Sequence, residues 1–199
     1  MISRKDKFLK RTFDVLLSII AILLTWWIIL ISWMVASVET KSNALFTQKR
    51  VGKDAKLFFV FKIKTMKKIA DMDTTVTTAH DVRITKSGAF FRKTKIDELP
   101  QLFNVLFGDM SFVGPRPDVS GYADRLQGEE RIVLSVRPGI TGPASLKYKN
   151  EEDILANQED AQFYNDTVIW PDKVKINSLY VKNYSFRKDI EYIIKTVIG

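Results

Sequence analysis

Arg92-Lys93-Thr94-Lys95-Ile96-Asp97-Glu98-Leu99-Pro100-Gln101, an apolar turn from Leu102 to Phe107, and then Gly108-Asp109-Met110-Ser111-Phe112-Val113-Gly114-Pro115-Arg116-Pro117-Asp118 form the stretch that decides the fold. A proline inside a helix removes a donor and clashes with the turn before it, so Pro100 belongs in a first turn, where donors are unpaired anyway. The pattern predicts a helix that begins at about Asp97, carries Leu99, Leu102, Phe103 and Leu106 inward, and ends at Gly108. Free N–H groups and the helix dipole would then keep the leading acids ionised. Neighbouring residues on a helix diverge by about 100°, so Asp97 and Glu98 can hold different jobs. They can also be ordinary first-turn acids, and Thr94 fits a capping box with Asp97. Their company points further. Arg92 lies just before them, and Arg116 is held between Pro115 and Pro117, a rigid frame for a planar fork that suits phosphate oxygens.

Taken together, Arg92-Lys93-Thr94, Asp97-Glu98-Leu99-Pro100-Gln101-Leu102, Asn104-Val105-Leu106, Gly108-Asp109-Met110-Ser111 and Val113-Gly114-Pro115-Arg116-Pro117 resemble the signature of the monotopic phosphoglycosyl transferases, a family of bacterial sugar transferases. The similarity runs from about Lys10 to the C-terminus. It implies an enzyme that moves a sugar-1-phosphate from a UDP-sugar to polyprenyl (undecaprenyl) phosphate through a covalent aspartyl intermediate, with release of UMP. On this resemblance Asp97 is the nucleophile and Glu98 its partner at a Mg²⁺ site, so both acids are metal ligands. Lys62, Arg92, Arg116 and Thr141 contact substrate.

Composition narrows the chemistry independently. The 199 residues include no cysteine and a single histidine, His80, which excludes disulfides, thiolate sites and histidine metal clusters. Any metal must be a hard cation on oxygen ligands, and that points to magnesium. A formal charge of +8 suits nucleic acid, a membrane surface or a phosphorylated substrate.

From Val15 to Val38 there is no charged residue for 24 positions, a helix of about 36 Å against a hydrocarbon core of about 30 Å. It is too long for a signal-peptide core and reads as a retained membrane element. Lys and Arg flank both ends, so the charge rule gives no sidedness, and a helix that returns to its own face fits this as well as a span. The family's re-entrant helix is broken by a Ser-Pro pair; here Thr25-Trp26 stands in that place and the run has no proline. A break would have to come from Ser18, Thr25 or Ser32 bonding back to the helix, or from the tryptophans seeking the interface.

Leu45–Gly52 and Leu57–Ile63 are rich in β-branched and aromatic residues, and with Val51-Gly52-Lys53-Asp54-Ala55 between them as a turn they predict a β-hairpin. After it, Lys62-Ile63-Lys64-Thr65-Met66 stands where the family has Lys-x-Arg-Ser-Met, with Lys64 in place of the arginine. Residues 67–80, with Asp71, Asp73 and His80, read as an exposed helix end and loop, and Asp81 and Arg83 fit a structural ion pair as well as the family pattern. Val136–Ser145 is a Gly/Pro-punctuated loop that resembles the family's Pro-Gly-Ile-Thr-Gly motif, with glycines able to approach an anion closely. Phe186, Ile190, Ile193, Ile194 and Val197 recur at helix spacing and suit either the core or a membrane interface.

The expectation is an α+β phosphoglycosyl transferase domain with a re-entrant or spanning helix in residues 1–40, one catalytic unit in 41–199 that includes the β-hairpin, and interfacial amphipathic helices. Its partners would be UDP-sugar, polyprenyl phosphate and the lipid bilayer, at the cytoplasmic face of a bacterial inner membrane, with no nucleic acid and with a homo-oligomer left open. An inactive membrane-anchored scaffold, or a basic nucleic-acid-binding protein with an anchor, remains a competing class.

Overall fold

The computed structural model describes residues 2–67 and 81–198; the segment read as an exposed loop with Asp71, Asp73 and His80 lies outside them. The uncharged run falls in one uninterrupted helix, α1 (Arg4–Thr40), capped by the Ser3 hydroxyl and closed by Lys41 in the left-handed conformation. The expected back-bonding is present: Ser18, Thr25 and Ser32 donate to the carbonyls of Val15, Ala21 and Ile28. It does not break the helix.

Both ends of α1 are fixed to the same body. At one end the Arg11 guanidinium donates to the Val105 and Leu106 carbonyls at 2.6 and 2.8 Å, and the Asp14 carboxylate accepts from the Ser111 hydroxyl and the Phe112 N–H. At the other, Ala36 is buried with Ala44, Ile63 and Phe91, and Glu39 accepts from the N–H groups of Lys86 and Ser87. Leu16, Ile20, Leu23, Leu24, Trp27 and Ile31, between those anchors, face outward.

The hairpin forms as its two apolar, aromatic-rich runs and the turn between them predict. Strands β1 (Leu45–Val51) and β2 (Leu57–Ile63) pair antiparallel with Leu45 opposite Ile63 and Val51 opposite Leu57, joined by a 3₁₀ turn over Lys53–Ala55. Helix α2 (Lys86–Thr94), with Thr85 as its N-cap, carries Arg92 in its last turn. Thr94 does not cap the next element; its hydroxyl donates to the Phe90 carbonyl within α2.

The helix expected from Asp97 is two pieces, a 3₁₀ turn over Ile96–Glu98 and then α3 (Gln101–Phe107), ended by Gly108 at φ 95°. Its inward face is Gln101, Leu102, Asn104 and Val105, rather than Leu99, Phe103 and Leu106. Asn104 sets that rotation. Fully buried, its amide accepts from the Phe61 N–H at 3.0 Å and donates to the Phe59 carbonyl at 2.7 Å, closing the free edge of β2.

After α3, strand β3 (Ser111–Val113) pairs in parallel with β4 (Gly139–Thr141), a short sheet that the chain's pattern does not announce. The Gly/Pro loop is therefore partly a strand, and its glycines serve contact between two backbones. A Cβ on Gly139 would lie 2.1 Å from the Gly114 nitrogen, and one on Gly142 2.4 Å from the Gly114 carbonyl oxygen. The Gly114-Pro115-Arg116 turn is thereby locked in place.

Helices α4 (Pro143–Lys147), α5 (Glu151–Ala156) and α6 (Ala161–Tyr164) lead through a π-helical turn at Asn165–Ile169 to α7 (Trp170–Lys182) and α8 (Phe186–Ile198). The buried residue of α8 is Asp189, while Ile194 and Val197 of its expected apolar stripe face outward. Asp189 accepts from Lys10 at 2.5 Å, from the Tyr180 hydroxyl at 2.8 Å and from the Tyr184 hydroxyl at 3.2 Å. Among the described residues the body is thus mostly helical with two small sheets.

Candidate active site

Asp97 and Glu98 sit at the junction of the hairpin, the 3₁₀ turn and the Pro115–Asp118 segment. Lys62, next to last in β2, donates to Glu98 Oε1 at 3.1 Å. Arg116 reaches the same carboxylate with both terminal nitrogens, at 2.5 Å to Oε1 and 3.4 Å to Oε2. Glu98 is thus the hub that gathers two of the expected phosphate contacts. Burial works against its charge, but Arg116 and Lys62 outweigh burial and hold Glu98 far below the usual carboxylate range. Glu98 in turn pushes the Arg116 guanidinium up, whereas burial pulls the Lys62 ammonium down.

Asp97 has the opposite environment. It is 7% exposed, and its Oδ1 has no hydrogen-bond partner. Burial, then the neighbouring Glu98 charge, push its carboxyl up to about 6, against the pull of Lys62, Arg92 and Lys95. The helix-end expectation is corrected here: the acid held firmly ionised is Glu98, by side-chain cations. Asp97 lies in a short 3₁₀ turn, where too few aligned peptides exist to offset its desolvation. At neutral pH it is still mostly a carboxylate, and a poorly solvated one.

Arg92 stands close enough for its charge to act on Asp97, yet its guanidinium is paired with Glu152 of α5. Thr141 is not brought to the acids by its side chain: its hydroxyl shares a hydrogen bond of 2.6 Å with Thr196 of α8. Its carbonyl accepts from the Gly114 N–H at 2.9 Å, so it supports the turn that presents Arg116. Asp81 and Arg83 form the ion pair that the bland reading gives them, at 2.6 Å. Lys64 donates to Ser42 at 2.8 Å, away from Glu98.

The structure adds residues that the sequence does not single out. Asp118, at the end of the quoted stretch, is pushed up to about 6 by burial, against Lys173, Arg50 and Arg116. Arg50 braces the segment with a bond to the Pro117 carbonyl at 3.3 Å. The Pro-Arg-Pro-Asp run is a visible cue for Asp118; nothing local marks Arg50 or Glu152.

For a hard cation, the donor set is asymmetric. Asp97 offers a buried, unpartnered oxygen, which fits a metal that takes one carboxylate together with substrate phosphates. Both Glu98 oxygens face cations. Among the described residues no group of three or more His, Cys, Asp or Glu side chains could hold a metal by itself.

Such a site, a desolvated carboxylate among cations beside a long apolar helix, has the makings of an anion-handling centre. Comparison with known proteins agrees: the bacterial sugar transferase model matches residues 5–199. The chain belongs to the bacterial sugar transferase family. It is 34% identical to the undecaprenyl-phosphate galactose phosphotransferase of Salmonella typhimurium, over 97% of this chain and 40% of that protein. It is also 34% identical to the UDP-glucose:undecaprenyl-phosphate glucose-1-phosphate transferase of Klebsiella pneumoniae, over 94% of this chain and 39% of that one. An uncharacterized sugar transferase of Bacillus subtilis, EpsL, is 35% identical over 95% of this chain and 85% of its own length. The chain therefore spans about two fifths of the first two relatives and most of the third.

Proposed function

We propose that this protein transfers a sugar-1-phosphate from a UDP-sugar to polyprenyl phosphate, releasing UMP. The observation that carries the reading is the Asp97 carboxylate, buried with one oxygen unpartnered and within reach of the charges of Lys62, Arg92 and Arg116. A desolvated carboxylate is a competent nucleophile toward phosphorus. Its oxygen attacks the phosphorus that bears the sugar; the bond to UMP breaks, and UMP leaves with the electron pair. A phosphate oxygen of the lipid acceptor then attacks the same phosphorus and restores the Asp97 carboxylate. Arg116 and Arg92 orient the diphosphate and spread its charge, the main demand of phosphoryl transfer. Glu98 keeps Arg116 and Lys62 aimed at that place. Mg²⁺, held at Asp97 and by the substrate's phosphates, would supply further charge neutralisation.

The acceptor is a lipid, and α1 offers the means to reach it. Asp14 and Ala36 are about 33 Å apart along a helix, yet both are buried against one body. A helix crossing the bilayer would carry them to opposite faces. We therefore assign both ends of α1 to the side of the membrane that holds the body and its nucleotide substrate, the cytoplasmic face. Single cysteines at Ser3 and Ser42 should both resist an impermeant thiol reagent added outside intact cells; labelling at Ser3→Cys alone would show a span.

The decisive chemical test withholds the lipid acceptor. With UDP-sugar and Mg²⁺ the enzyme should release about one UMP per molecule and gain a phosphosugar mass on the peptide containing Asp97. Turnover with acceptor but no adduct and no UMP without it would replace the covalent route by direct transfer, with Asp97 as base.

A further inference from the structure

Each cation assigned to the diphosphate is already matched by a carboxylate of the protein itself. For Arg116 and Lys62 the partner is Glu98, a neighbour of the nucleophile. For Arg92 it is Glu152, from a separate helix 60 residues further along the chain. Helix α5 is an unusual neighbour for an anion site. Its first turn holds three acids, Glu151, Glu152 and Asp153, and Leu155 is its one buried side chain. Otherwise charge holds it: Glu151 pairs with Lys173 of α7 at 2.6 Å, and Glu152 reaches Arg92. A segment with so little apolar burial opens at small cost.

We propose that Glu152 is a gate: its carboxylate occupies the place on Arg92 that a substrate phosphate takes, and a nucleoside diphosphate displaces it and releases the leading end of α5. This rests on the reading of Arg92 as a diphosphate contact. A diphosphate carries more charge than a carboxylate and matches the guanidinium fork equally well, so it wins the exchange. Once freed, Glu152 is repelled by the bound phosphates, which keeps α5 open while ligand is present. Leu155, buried near the C-terminal end of α5, holds the far end as a hinge, and the Glu151–Lys173 pair yields with the leading end. Without ligand, the pair keeps Arg92 from capturing other anions.

The test uses the full-length protein in detergent, with UDP and Mg²⁺ as the probe. Glu152 is half-exposed at 47%, so Glu152→Gln should fold normally. Removing a competitor of that exposure should tighten UDP binding about two- to fivefold, the range of exposed ion pairs. In the wild type, UDP should speed amide exchange across residues 150–157; in Glu152→Gln exchange should be fast already, and UDP should change it little. Unchanged or weaker UDP binding by the variant would overturn the gate and make Glu152 a residue that positions Arg92. Exchange in 150–157 that UDP does not raise in the wild type would also overturn it. A wild-type protein that binds no UDP would overturn the reading of the site, and the gate with it.

Discussion

Two corners of this molecule bury acids, and they treat them in opposite ways. Where α1 meets α8, Asp14 and Asp189 are each 2% exposed, and both are well partnered. Asp14 takes a hydroxyl and a backbone N–H; Asp189 takes an ammonium and two tyrosine hydroxyls. At the other corner Glu98 is likewise paired, but Asp97 keeps a buried oxygen with no partner. Burial of polar groups without partners is rare because it is costly, and a group left so is a candidate for chemistry rather than support. The contrast assigns Asp14 and Asp189 to architecture and Asp97 to reaction.

The sharpest way to break that contrast is to neutralise one acid in each corner. Asp97→Asn should cost about a thousandfold or more in turnover, as loss of a nucleophile does. Its stability should match or exceed that of the wild type, because an unpaired buried charge is removed. Asp189→Asn should do the reverse. Lys10 would be left without its charge partner, at a cost of about 3 kcal/mol, while activity per folded molecule stays close to normal. Denaturant unfolding alongside UMP release measures both. Near-normal turnover of Asp97→Asn would end the covalent proposal.

Next in size is Arg116→Lys. The ammonium keeps the charge but loses the two-nitrogen grip on Glu98 and the fork for phosphate. Loss of one charge-assisted contact of about 1.5–3 kcal/mol corresponds to roughly 10- to 100-fold in rate. Activity within about twofold of wild type, at normal expression, would reduce Arg116 to a support for Glu98.

These contrasts also mark what could be read from the chain. That the acids and Arg116 come together was legible from one gapped motif, and the hairpin from its aromatic-rich runs around a local turn. Which acid stays ionised was not, since that depends on Lys62 from β2 and Arg116 from a turn fixed by β4. Of the inward face of α3 Leu102 was legible, but Asn104 was not, because it looks like a surface residue until β2 supplies its backbone partners. Asp189 reads as one more polar residue of an amphipathic helix. It is buried because Lys10, far away in sequence, needs it. The length of α1 was plain from its uncharged run, but that both ends grip one body is a tertiary fact.

A pH profile refines the comparison further. The Asp97 carboxyl is pushed up to about 6, and its deprotonated form is the nucleophile. Activity should therefore be level above that pH and fall about tenfold per unit below it. Asp118, also pushed up to about 6, is a second source for such an inflection. Asp118→Asn should leave the inflection in place. Lys62→Met should move it upward, since Lys62 is among the cations that favour the charged form. An inflection that vanishes in Asp118→Asn would transfer the assignment to Asp118.

The smallest expected effect concerns Thr141, which the resemblance makes a substrate contact and the structure ties to Thr196. In β4 its backbone carbonyl holds Gly114, and a substitution that keeps the strand keeps that bond. Thr141→Val preserves the branched shape and removes only the hydroxyl, so the loss should be one hydrogen bond, about 1 kcal/mol of stability. Thr196→Val removes the other half of the same bond. Thr196 also donates to the Tyr192 carbonyl at 2.7 Å, so if the Thr141 hydroxyl serves only to dock α8, Thr196→Val should cost at least as much as Thr141→Val, the double variant should be no worse than Thr196→Val, and turnover should stay within about twofold of wild type. A hydroxyl that also meets substrate gives a different pattern: Thr141→Val alone would raise KM for the UDP-sugar or lower kcat, and Thr196→Val would do neither. In that case Thr141 belongs to the reacting corner, and the line between the two corners runs through β4 itself.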